Sequence, residues 1–254
     1  MVKTSISARS PLSPTRSPRN GFVWWQSLLL LLLLFLAVNV PPAFVLGISL
    51  GLGLASVRDF SMFSWPVLIG QLAGYAVALA TIAGLLPAIA HRSLTALGLR
   101  RPRVADVLWA IGGAIAMALA VALAAALEER LLHLRSDEVQ VRWLAATHGP
   151  LLAGFAFLAC IAAPFFEELV FRGFVFNALA RYMAPWGAVV ISALVFGFAH
   201  YMPGNEGAVL PLAAGGIVLA LVYYYSEALP ASMLTHALFN AATFFAVIVL
   251  HQKP

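Results

Sequence analysis

"PLLAGFAFLACIAAPFFEELVFRGFVFNALARY", residues 150–182, is apolar enough to lie in a bilayer, yet two adjacent glutamates and an arginine sit at its middle. A helix rises 1.5 Å per residue, so about 20 apolar residues cross the roughly 30 Å of hydrocarbon. This segment is longer than one simple crossing needs and is expected to tilt or protrude.

Similar apolar runs recur on either side of it, at about 22–40, 66–90, 106–127, 185–201, 208–225 and 229–250. With 62% hydrophobic and only 10% charged residues, the chain is excluded from the soluble globular class. Each run is about the length that a helix needs to cross the hydrocarbon. The expected fold is all-α, a polytopic transmembrane helical bundle of about seven spans.

The first run is longer than a signal-peptide core and lacks a small-residue cleavage site, so it is expected to stay as a span. "PPAF" at 41–44 is expected to kink or end it. Trp24 and Trp25 suit an interfacial anchor. Gly70 and Gly74, like Gly47 and Gly51, have the spacing that lets helices approach closely and read as packing glycines.

Residues 1–20 are rich in Ser, Pro and Arg and contain no acid, which reads as a disordered basic cytoplasmic tail. Its basic residues (Lys3, Arg9, Arg16, Arg19) and those of the loop at 91–105 (Arg92, Arg100, Arg101, Arg103) place both segments in the cytoplasm, with two spans between them. Residues 21–149 then form N-terminal transmembrane helices and connectors, and 150–250 a helical core whose site lies among the last four helices. Residues 128–142 mix both signs and read as an interfacial amphipathic helix or a solvated connector. The net charge of +5 is dispersed as topology requires, so nucleic acid is not an expected partner. Cys160 is the single cysteine and reads as a buried free thiol.

Asp59, Asp106, Asp137, Glu128, Glu129, Glu138, Glu206 and Glu227 all fall in loops or at span ends, which leaves Glu167 and Glu168 inside. An ion at bilayer depth costs somewhere between about 3 and more than 10 kcal/mol, so this pair needs partners or a wet cavity. Arg172 lies one turn after Glu168 on the same face and can pair with it, a structural role. Glu167 is rotated by about 100° and stays free for chemistry. The bland alternative makes all three a helix-packing cluster.

His91, His133, His148 and His251 fall in loops or at an end, whereas His200 in "FGFAHY" and His236 in "THALFN" lie in or beside apolar spans. Phe196 precedes His200 by one turn, and Asn240 follows His236 by one turn. If the chain turns near 183–184, Glu167 and His200 lie about 16 residues to either side and reach similar heights in a helical hairpin. His236 should sit lower unless its helix is tilted or starts late.

A carboxylate facing an imidazole can hold a water and take its proton, while a second histidine with an asparagine offers donors to an oxyanion. Glu167, His200 and His236 equally match the ligand set of a catalytic zinc. HExxH, an intramembrane aspartate pair and GxSG are all absent.

EExxxR at Glu167–Arg172, FxxxH at Phe196–His200 and HxxxN at His236–Asn240, in this order on successive apolar segments, resemble the CPBP family. That family includes CAAX prenyl endopeptidases and bacteriocin-processing or bacteriocin-immunity membrane proteins. The resemblance covers roughly 150–245, and "LGLRRP" at 97–102 is similar to bacterial members though less specific. It implies an intramembrane peptidase acting on a peptide or lipidated protein, with Glu167 and His200 activating water and His236 and Asn240 stabilising the oxyanion. Glu168 and Arg172 complete the site. Members are described both as metalloproteases and as glutamate-type proteases, so zinc stays open. The alternative is a non-catalytic scaffold or immunity protein that keeps these residues for folding. A transporter with a buried ion relay is a third class and predicts coupled flux.

Overall fold

A helix satisfies its own backbone hydrogen bonds in lipid, and the described residues form seven apolar helices. The computed structural model describes residues 24–56, 64–90, 94–134, 147–201 and 206–251. The expected tail at 1–20, residues 135–142 of the mixed-charge segment, Asp59, His91 and Arg92 lie outside the described residues. The described chain is helical throughout, with α1 Trp24–Gly51, α2 Trp65–Ala90, α3 Val104–Leu132, α4 Gly149–Leu179, α5 Pro185–Ala199, α6 Val209–Ser226 and α7 Leu229–His251. Six of the helices are long and apolar enough to cross a membrane. The exception is α5, which at 15 residues reaches only about 22 Å and is shorter than a full crossing. Large apolar side chains such as Leu108, Ile115, Leu119, Leu123 and Phe245 point outward, as a lipid-facing surface requires.

Prolines at 41 and 42 were expected to kink or end α1, yet the helix runs through both to Gly51. Each proline lacks the N–H that would bond the carbonyl four residues earlier, which frees Ala37 and Val38. α2 comes closest at that point. A Cβ built on Gly74 would lie 2.8 Å from the Val38 oxygen and 3.4 Å from that of Ala37, and one on Gly70 would lie 2.7 Å from the Pro42 Cα. Gly70 and Gly74 are therefore contact glycines. Gly47 and Gly51 are not, because nothing among the described residues lies within 4 Å of either position.

Asp106 and Glu128 stand at the ends of α3 as expected, but both are buried rather than solvated. Asp106 accepts two hydrogen bonds from Arg100, at 2.6 and 2.8 Å, and one from the Arg103 backbone N–H at 2.7 Å. These bonds start α3 and fold the preceding loop under the bundle. That loop receives α7: the Leu229 N–H donates to the Gly98 carbonyl at 3.1 Å, and the Tyr223 hydroxyl to that of Leu97 at 3.0 Å. Ala228, Leu229 and Ala231 are fully enclosed. α7 thus begins at Leu229, beside Pro230 and inside the bundle, with no late start in sequence.

α4 contains two stretches with π-type bonding, Leu158–Ala162 and Leu169–Phe176, separated by the α-helical Ala163–Glu168. Widened turns of this kind expose carbonyls that need extra donors. Asn177 supplies them, donating to the oxygens of Arg172 and Gly173 at 2.9 and 3.0 Å and to the Tyr223 hydroxyl at 2.7 Å.

Candidate active site

Glu167 and Glu168 lie in the short α-helical piece between the two π stretches, so their side chains leave α4 in different directions. Glu168 is fully buried and points at α7. Its Oε1 accepts from Arg172 Nη1 at 2.8 Å and from His236 Nδ1 at 3.1 Å, and its Oε2 from the Ser232 hydroxyl. Arg172 also donates to the Gly216 carbonyl at 3.0 Å, and its guanidinium lies 4.7 Å above the Phe196 ring. Among the described residues its Nε has no hydrogen-bond partner. The Phe196 ring also touches both imidazoles, with centroids 4.7 Å from His200 and 5.8 Å from His236, which accounts for the aromatic residue one turn before His200.

Glu167 keeps 16% of its side-chain surface exposed, and its carboxylate faces the two histidines. Oε2 lies 3.7 Å from His200 Nε2 and 3.9 Å from His236 Nε2. These gaps exceed a direct hydrogen bond and suit one shared water. The other ring nitrogens fix the tautomers. His200 Nδ1 is 2.8 Å from the Phe196 carbonyl, and His236 Nδ1 faces Glu168. Both partners only accept, so each Nδ1 carries a hydrogen and each ring turns its Nε2 towards Glu167.

Asn240 lies beside the same cleft, one turn above His236, and its Nδ2 donates to the Ala159 carbonyl at 2.8 Å. Ala159 belongs to the first π stretch, so this bond ties α7 to the bulge and leaves Asn240 one further N–H. Glu167, His200, His236 and Asn240 all line one cleft of about 1610 Å³, walled mainly by apolar side chains of α1, α2, α3, α4 and α7.

Sequence reasoning passed over Ser232, although Ser232, His236 and Asn240 repeat every four residues and so stripe one face of α7. It also passed over Tyr75 and Gln71, which enter the cleft from α2, far away in sequence.

The donors of Glu167, His200 and His236 have the chemistry of a zinc set, and both Nε2 atoms suit ligation. Their arrangement does not fit as it stands. Among the described residues no group of three His, Cys, Asp or Glu side chains is placed to hold a metal ion.

Fold and site together define a membrane-embedded helical protein with a carboxylate–imidazole centre at the head of an apolar cleft. Residues 149–242 match the family model described as Type II CAAX prenyl endopeptidase Rce1-like, a match to the CPBP/CAAX protease family. The match supports intramembrane protease activity in general terms. No curated protein and no solved structure matches the chain.

Proposed function

We propose that the chain is an intramembrane endopeptidase that hydrolyses a peptide bond in a membrane-associated or lipidated protein or peptide. The observation that carries this reading is the Glu167 carboxylate facing two imidazole Nε2 atoms at 3.7 and 3.9 Å, at the head of an apolar cleft.

Glu167 and His200 hold a water between them, and Glu167 takes one of its protons as the oxygen attacks the carbonyl carbon. The C–O bond forms while the carbonyl electron pair moves onto oxygen. His236, protonated on both nitrogens and held by ionised Glu168, donates Nε2–H to that oxyanion, and the remaining Asn240 N–H is a second donor. As the C–N bond breaks, Glu167 returns its proton to the leaving amine. One water and one peptide become one acid and one amine. Glu168, Arg172 and Ser232 hold His236 and do not touch the reacting atoms.

Prenylated CAAX proteins, named in the family description, are one substrate option, and the apolar walls suit a lipidated or strongly apolar chain equally well. The basic N-terminal segment faces the cytoplasm, and the protein resides in the cell membrane. Peptidomics of cells making the wild type or Glu167→Gln at equal abundance tests the function. Products that disappear in the variant support it, whereas identical peptidomes contradict it.

A further inference from the structure

We infer that Tyr75, supported by Gln71, is a positioning residue for Glu167, so that the reaction centre extends beyond residues 149–242 into α2. The inference rests on the peptidase reading above. Tyr75 stacks on Phe166, the immediate neighbour of Glu167, with ring centroids 4.7 Å apart and planes at 26°. This stacking fixes the phenol against the turn of α4 that carries the carboxylate. Tyr75, Gln71 and Glu167 line the same cleft. The Gln71 side chain, one turn before Tyr75, hydrogen-bonds the phenol, and the phenol lies within electrostatic reach of Glu167.

The other polar groups acting on Glu167 leave a gap that Tyr75 fills. His200 and His236 turn their Nε2 atoms towards it, and Arg172 acts on it from within its pairing with Glu168. None of the three offers a neutral hydrogen-bond donor. Gln71 is assigned the donor role to the phenol oxygen, so that the O–H of Tyr75 donates across the cleft to Glu167 or to a water it holds. A carboxylate on a flexible stem needs such a restraint, because a small misplacement of the base is costly in rate.

The test uses the full chain in detergent and two probes: an internally quenched peptide ending in a farnesylated CAAX motif, and the same peptide without lipid. Tyr75→Phe keeps the ring and its stacking, so it should fold, lower kcat about ten- to a hundredfold and leave KM nearly unchanged. Gln71→Leu should show a smaller loss of the same kind. A second readout needs no turnover: 3-fluorotyrosine placed at position 75 should show a 19F resonance that moves on Glu167→Gln and stays put on Glu227→Gln. Full activity of Tyr75→Phe beside an inactive Glu167→Gln overturns the inference and leaves the peptidase reading intact. Full activity of Glu167→Gln overturns the peptidase reading instead. A fluorine resonance blind to Glu167→Gln overturns the coupling between the two residues, whatever the cleavage assay shows.

Discussion

Glu167 and Glu168 are neighbours in sequence and opposites in environment. Glu168 sits without solvent among Arg172, Ser232 and His236, so removing any partner leaves a buried polar group unmatched. Glu168→Gln or Arg172→Ala is expected to cost about 3 to 5 kcal/mol, the range for breaking one side of a buried pair. Ser232→Ala should cost about 1 to 3 kcal/mol. Chemical denaturation in detergent measures all three, and wild-type stability of Arg172→Ala would contradict the assigned role. The i,i+4 spacing of Glu168 and Arg172 made this pair legible in the sequence. The hydrogen bond from His236 to Glu168 was not, because sequence spacing gives the face of a residue on its own helix and says nothing of which helix lies opposite.

Close backbone approach at Gly70 and Gly74 joins α1 to α2 beside a shared cluster of buried side chains that includes Leu30, Leu34, Ala78 and Ile82. Gly74→Ala would drive a methyl group into the backbone of α1 and should destabilise by about 1 to 3 kcal/mol, as overpacking does. Gly47→Ala meets nothing within 4 Å among the described residues and should be neutral or stabilising by up to about 1 kcal/mol through helix propensity. Thermal unfolding of the two variants side by side measures the difference, and equal behaviour would contradict the packing. Both glycine pairs have the same spacing, so the sequence could not separate them. The two prolines decide it, by opening the carbonyls that Gly74 approaches. The π stretches of α4 were equally hidden, since apolar composition fixes that a segment is helical and leaves the local winding to side-chain partners such as Asn177 within α4 and Asn240 from α7.

At the scale of the whole molecule, hydropathy made the helical bundle legible, and three short motifs singled out the polar residues that the fold gathers around one cleft. The depth of α7 was not legible. It depends on the Gly98 carbonyl meeting Leu229, a contact between segments far apart in the chain. The non-ligating arrangement of Glu167, His200 and His236 leads to a prediction for the purified protein: activity persists in chelator, and His236→Ala lowers the rate about a hundred- to a thousandfold without changing metal content. Stoichiometric zinc lost in His236→Ala, with zinc restoring activity to chelated wild type, would contradict that mechanism and leave the peptidase reading standing. The central claim is that Glu167 is the base of a peptidase. Its most direct test is cleavage of a quenched lipidated peptide by purified wild type and Glu167→Gln reconstituted at equal amounts in liposomes. The account predicts cleavage by the wild type and none by a Glu167→Gln protein of unchanged thermal stability; equal cleavage by the two would contradict it.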